Sequence, residues 1–99
     1  MPSIPIHPGE ILKGEMVALN INATKLARAV HVPANRISQI VAGKRNISTD
    51  TALRLGKVLS TGPQFWMNLQ KAYELDLIKV SGGPDLSGIV PLPNSISSP

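Results

Sequence analysis

The chain has 99 residues, 42% of them hydrophobic, with no cysteine and with Phe65, Trp66 and Tyr73 as its aromatic residues. That length predicts one small domain with a mainly aliphatic core, and the lack of thiols excludes a disulfide scaffold, a thiolate zinc site and a cysteine nucleophile. No apolar run approaches the roughly 18 residues of a membrane span, and residues 1–8 show neither the basic nor the apolar region of a secretory signal, so a cytoplasmic protein without membrane contact is expected.

The net charge is +4, and its distribution says more than its size. Between Met16 and Thr49 there is no carboxylate, and that stretch holds Lys25, Arg28, Arg36, Lys44 and Arg45. Glu10 and Glu15 precede it, and Asp50, Glu74, Asp76 and Asp85 follow it. An acid-free basic block inside a structured region fits a polyanionic partner. By charge alone a solvated face is the simpler reading, so the surrounding residues have to decide.

The first predicted helix covers about 8–19. Pro8 suits the first helical position, Glu10 lies in the first turn, where the helix dipole favours an anion, and Leu12, Met16 and Leu19 share a face beside Ile11. The second covers about 23–30, with Asn22 as N-cap and Leu26, Ala27 and Val30 as its apolar stripe. His31 and Val32 form a turn. Pro33 opens a third helix that reaches Ala42 and stops at Gly43. Its inward stripe is Ile37, Ile40 and Val41, which throws Asn35, Arg36, Ser38 and Gln39 to the other side. Ser48 caps a fourth helix over about 49–59, patterned Ala52, Leu55, Gly56 and Leu59; a glycine on that face predicts close backbone packing. Pro63 starts a fifth helix with Phe65, Trp66, Leu69 and Tyr73 on its inner face, fading near Leu75. The expected division is a helical domain over 7–76 and a linker with an extended or flexible tail over 77–99, broken by Gly82, Gly83 and Pro84. Ile89 and Val90 suit a short edge strand, limited by Pro91 and Pro93.

The fold class is therefore all-α: a compact five-helix domain with a short extended C-terminal tail. Its second and third helices are short and are separated by two or three residues, the geometry of a helix-turn-helix, in which the second of the pair enters the major groove. Asn and Gln pair bidentately with adenine, Arg with guanine, and a small apolar side chain touches a thymine methyl. Ala34, Asn35, Arg36, Ser38 and Gln39 supply that chemistry near the start of the third helix, and Asn35 and Gln39 lie one turn apart on one face. Paired short helices, readout residues and an acid-free basic block together favour DNA over an ordinary bundle surface.

The run LARAVHVPANRISQIVAGKR at 26–45 resembles the Xre/Cro/phage-repressor helix-turn-helix family, the lambda-repressor-like fold. More narrowly, the sequence is similar to HigA-type, VapI-like antitoxins, with their hallmarks as His7-Pro8-Gly9-Glu10, Thr51-Ala52-Leu53-Arg54-Leu55 and Phe65-Trp66-Met67-Asn68-Leu69-Gln70. The resemblance implies a dimeric repressor of its own operon that binds double-stranded operator DNA. It also implies an antitoxin that masks a RelE-like, mRNA-cleaving toxin, as in a HigB/HigA-type pair. It puts base contacts on Ala34, Asn35, Arg36 and Gln39, with Ser38 close by. Backbone contacts fall on Asn22, Thr24 and Lys25 and on Lys44 and Arg45. The chain departs from the family in two places: His31 stands where many relatives turn on glycine, which takes the left-handed region more easily, and Ala23 replaces the usual glutamine.

The remaining polar residues read as structural. His7 leads into the first helix and His31 sits in a turn; neither belongs to a metal-ligand cluster. Trp66, Phe65 and Tyr73 read as core. Lys13, Lys57 and Lys71 read as solvated. Arg54 reads as structural, paired with Glu10 or Asp50, over facing DNA. Thr24, Ser38 and Ser48 lack the partners a nucleophile needs, so no catalysis and no cofactor are expected. The alternatives are a protein-interaction module that binds the toxin with little DNA binding, and a solitary phage-type repressor.

Overall fold

Each helix begins where a residue takes over, or removes, an orphan backbone N–H. In the computed structural model, which describes residues 4–93, α1 (Pro8–Leu19) follows His7, whose Nδ1 accepts the Gly9 N–H at 2.9 Å. α2 (Ala23–Val30) is capped by Asn22, whose Oδ1 accepts the Lys25 N–H at 2.8 Å. α3 (Ala34–Val41) follows Pro33 with no side-chain cap. α4 (Thr49–Val58) is capped by Ser48 through the Thr51 N–H at 3.2 Å, and α5 (Pro63–Val80) starts on Pro63. The caps expected at Asn22 and Ser48 are in place; Pro33 stands one residue before the third helix rather than in it.

The core is built by one stripe from each helix: Leu12 and Met16, then Leu26, Ala27 and Val30, then Ile37 and Ile40, then Ala52 and Leu55, then Trp66, with Ile47 added from the α3–α4 loop. Trp66 is fully buried, and its indole N–H finds a partner in Thr61 Oγ1 at 2.9 Å, as a buried tryptophan requires. A side chain at Gly56 would strike the backbone of Gly62 and Pro63, so α4 and α5 meet backbone to backbone as its place on the inner face predicts. Two expected core residues are outside. Leu19 is exposed with the rest of α1's last turn, Val17 and Ala18, which extends past the helices that α1 packs on. Phe65 is 39% exposed: adjacent residues on a helix point about 100° apart, and Trp66 takes the inward direction, with Phe65 edge-on to it at 4.9 Å.

The fifth helix does not fade near Leu75 but continues to Val80, so residues 77–80 are helical rather than linker. The amphipathic pattern dissolves after Tyr73, but no breaker occurs before Gly82, and an established helix gains one bond for each residue added. Gly82 and Gly83 then take positive φ values of 98° and 58°. No strand forms among the described residues; Ile89 donates to the Leu86 carbonyl at 2.9 Å in a turn. A strand needs a ladder partner, and none pairs with this segment among the described residues. Residues 94–99 of the expected tail lie outside the described residues. The radius of gyration is 17.0 Å, against about 13 Å for a compact domain of 100 residues. Among the described residues, the distal half of α5 and the segment 81–93 leave Leu75, Leu77, Ile78, Val80, Leu86, Ile89, Val90 and Leu92 exposed.

His31 ends α2 in the left-handed region, at φ 61° and ψ 47°. Its N–H reaches the Arg28 carbonyl at 3.3 Å, and the Val32 N–H reaches Ala27 at 3.0 Å, the paired bonds of a Schellman ending. Histidine thus adopts the turn that glycine makes more easily. His31→Gly is expected to stabilise the domain by about 0.5–1 kcal/mol, the relief at φ > 0 exceeding the added freedom of the unfolded chain. Thermal unfolding checks this; a lower Tm would show that the imidazole stabilises the turn by more than its backbone costs.

Candidate nucleic-acid interface

Ile37 and Ile40 are fully buried, and they fix the roll of α3. Asn35 lies opposite them and is exposed; Gln39, one turn on, is half-buried. Ala34 and Ser38 form one flank of this face, and Arg36 forms the other. Their side chains are not equally free. Ser38 Oγ donates back to the Ala34 carbonyl at 3.3 Å. Arg36 is half-buried, with Nη1 3.9 Å from Asp50 Oδ2. Gln39 Oε1 accepts from Arg45 Nε at 2.9 Å. Among the described residues the Asn35 amide makes no side-chain bond. The Arg36 pair is solvent-accessible, and such pairs contribute only about 0–1 kcal/mol, so Arg36 can leave Asp50 for another partner at little cost.

Asn22 spends its carbonyl oxygen on the α2 cap, which leaves its NH₂ group outward. Thr24 and Lys25 are exposed beside it, and with Arg28 they border an open groove of about 500 Å³. Lys44 and Arg45 are exposed just beyond α3. Gly43, at φ 76°, turns the chain there, with the Gly43 N–H on Ile40 O at 3.0 Å and the Lys44 N–H on Gln39 O at 2.8 Å.

Three residues outside this face hold it in position. Arg54 Nε donates to Asp50 Oδ2 at 2.9 Å, and its Nη1 donates to the carbonyls of Val30 at 2.8 Å and His31 at 3.3 Å. Arg54 is structural, as expected: it closes the C-terminus of α2 and ties the turn to α4. Gln70 is buried, its Oε1 accepting the Ile47 N–H at 2.8 Å while its Nε2 donates to Glu74 Oε2 at 2.9 Å. It pins the loop that carries Lys44 and Arg45. The same bond from Gln70, aided by Lys71, holds the Glu74 carboxyl below its ordinary pKa. Gly9 lies against the backbone of Ile40 and leaves no room for a side chain, which sets the approach of α1 to α3. Spacing and periodicity alone give Gln70 and Gly9 no physical role. Both stand inside the motifs at 7–10 and 65–70 that carry the family resemblance, and beyond that their local signs are a glycine in the first turn of a helix and a polar residue next to an apolar stripe.

His7 is buried beside Tyr73, edge-on at 4.9 Å, and its Nε2 has no partner among the described residues. No group of three or more His, Asp or Glu residues is placed to hold a metal ion among the described residues.

The helix-turn-helix family matches residues 12–66. The chain is 45% identical over 78 residues to virulence-associated protein I of Dichelobacter nodosus, covering 78% of this chain and 70% of that one. Its structure is similar to that of a HigA-family addiction module antidote protein from Coxiella burnetii, at 43% identity and a TM-score of 0.82, over 91% of this chain and all (100%) of that one. It is likewise similar to the Pseudomonas aeruginosa antitoxin HigA, solved with the higBA promoter, at 42% identity and a TM-score of 0.80, over 89% and 97% of the two chains. The chain belongs to the Xre-type helix-turn-helix family, among the HigA antitoxins. Membership in this family of DNA-binding antitoxins and regulators makes it a non-enzymatic protein. The match over 12–66 starts in α1 and ends at Trp66, so it takes in the whole α2–α3 pair, the basic loop and the Asp50–Arg54 brace. No helix among the described residues is long and apolar enough to cross a membrane.

Proposed function

We propose that this HigA-family protein represses its own operon by binding operator DNA as a two-fold dimer, each α3 in a major groove, and neutralises a RelE-like toxin in the cytoplasm. The observation that carries this reading is the face of α3: Asn35 and Gln39 point away from the buried Ile37 and Ile40, inside a stretch that contains five cations and no acid between Met16 and Thr49. Base contacts are assigned to Asn35 and Gln39, with Arg36, Ala34 and Ser38 at the flanks. Phosphate contacts are assigned to Asn22, Thr24, Lys25, Lys44 and Arg45. The Pseudomonas relative, solved with promoter DNA, supports the DNA partner.

Asn35→Ala and Gln39→Ala are each expected to weaken operator binding by about 1–3 kcal/mol, the worth of a bidentate base contact, while leaving the circular dichroism spectrum unchanged. Gel shifts on operator and scrambled duplexes decide it. Equal losses on both DNAs would place the reading face elsewhere.

Toxin and dimer contacts are assigned to the end of the molecule away from α3. There the exposed apolar residues of distal α5 and the tail line a groove between Leu75, Ile78 and Leu86. Removing residues 83–99 is expected to keep the helical fold but impair dimerisation or toxin capture. Light scattering after size exclusion, with a pull-down of a RelE-like toxin, tests it. A truncated chain that dimerises and captures toxin normally would shift the toxin surface to α1 and its Ile4–Ile6 lead.

A further inference from the structure

We propose that Arg45 is a positioning residue for Gln39, so that it sets which operator is read and does not act only as a phosphate clamp; the proposal rests on the DNA-reading role given to α3 above. The Arg45 Nε–H to Gln39 Oε1 bond is 2.9 Å, and the main chain fixes the register of the two residues. The Lys44 N–H is bonded to the Gln39 carbonyl at 2.8 Å through the turn at Gly43. At the other end of the same loop the Ile47 N–H is held by the buried Gln70 at 2.8 Å. Arg45 therefore sits on a segment anchored on both sides.

The chemistry of the pair explains what this anchoring does. A free glutamine amide rotates and presents its donors and its acceptor in either sense. Holding Oε1 removes that freedom: the NH₂ group is directed outward, and one lone pair of the oxygen remains. One donor and one acceptor are what the N7/N6 edge of adenine requires. Arg45 uses only Nε for this bond and keeps its two Nη groups for a phosphate, a division that the planar guanidinium allows and a lysine ammonium does not. The acid-free stretch around it supplies no carboxylate to compete for Arg45, and Asp50, the next acid in the chain, is occupied by Arg54 at 2.9 Å and Arg36 at 3.9 Å.

The test uses the full-length chain and duplexes that the wild-type protein enriches from a randomised pool. Affinities for an enriched duplex and for a scrambled duplex of the same composition are measured at one salt concentration. The variants are Arg45→Lys, Gln39→Ala and the double variant, each checked for its melting curve. Arg45→Lys keeps the charge, and whatever phosphate contact the guanidinium gives up should weaken the enriched and the scrambled duplex by the same factor, so the ratio of the two affinities reports on Gln39 alone. Selectivity for the enriched duplex should fall by about three- to tenfold, the scale of one pre-ordered side chain. The double variant should be no less selective than Gln39→Ala alone, because the two residues act as one unit. Wild-type selectivity in Arg45→Lys, or losses that simply add in the double variant, would overturn the positioning role and leave Arg45 a phosphate contact. Failure to enrich any duplex, or unchanged selectivity in Gln39→Ala, would overturn the DNA-reading role of α3 and this proposal together.

Discussion

Raising salt from 50 to 200 mM is expected to weaken operator binding by about 10³–10⁵-fold, the loss that accompanies some 6–10 phosphate contacts. The size of the effect follows from where the cations lie. Lys25, Arg28, Lys44 and Arg45 are exposed on the α2–α3 side, while Arg36 is half-buried next to Asp50. In the proposed dimer these four positions supply about eight cations to a duplex, and each one that meets a phosphate releases counterions. Lys44→Ala should lower the salt slope by about one unit for each phosphate it no longer neutralises, and weaken operator and scrambled DNA alike, since phosphates carry no sequence information. Fluorescence anisotropy titrations across the salt range measure the slope directly. An affinity that hardly changes would mean that the acid-free block is only a solvated face, and the phosphate assignments would fall with it.

Gly9→Ala is expected to destabilise the fold by about 3 kcal/mol or more, at or above the usual upper range for overpacking a closed core. The added methyl would collide with the Ile40 carbonyl oxygen and come within 2.7 Å of its carbon and 3.0 Å of His7 Nδ1. Backbone cannot rotate aside as a side chain can, so α1 must draw back from α3, pulling Leu12 and Met16 away from the core. A domain of this size has only about 5–15 kcal/mol in total, and about 4–8 °C of Tm accompanies each kcal/mol. Because Ile40 is one of the two residues that fix the roll of α3, weaker DNA selectivity should accompany the lower stability. Gly14→Ala is the internal control. It lies in the same helix with nothing within 4 Å of the added atom, and it should stabilise by up to about 1 kcal/mol through helix propensity alone. Chemical denaturation of the two variants separates these outcomes; a destabilisation below about 1 kcal/mol for Gly9→Ala would show that α1 is free to move off α3.

Features that neighbours along the chain decide were legible in the sequence alone. Asn22 and Ser48 cap helices because their side-chain oxygens reach an N–H three residues on, at 2.8 and 3.2 Å. The stripe Ile37–Ile40 faces inward because an apolar residue recurs each turn, and that alone turns Asn35 and Gln39 outward. The α2–α3 pair and the acid-free block could be read for the same reason. The rest depended on how the helices pack. Periodicity defines a helix face but not how far a neighbouring helix covers it, so Leu19 is left exposed and Phe65 yields the inward direction to Trp66. A helix ends where bonding ends rather than where amphipathicity ends, so α5 reaches Val80. Gln70 is buried because a loop N–H 23 residues earlier in the chain needs its oxygen, and Arg54 reaches carbonyls 24 and 23 residues earlier. Gly9 is confined by Ile40, a residue on another helix. Those partners meet only when the chain has folded, and local spacing carries no record of them.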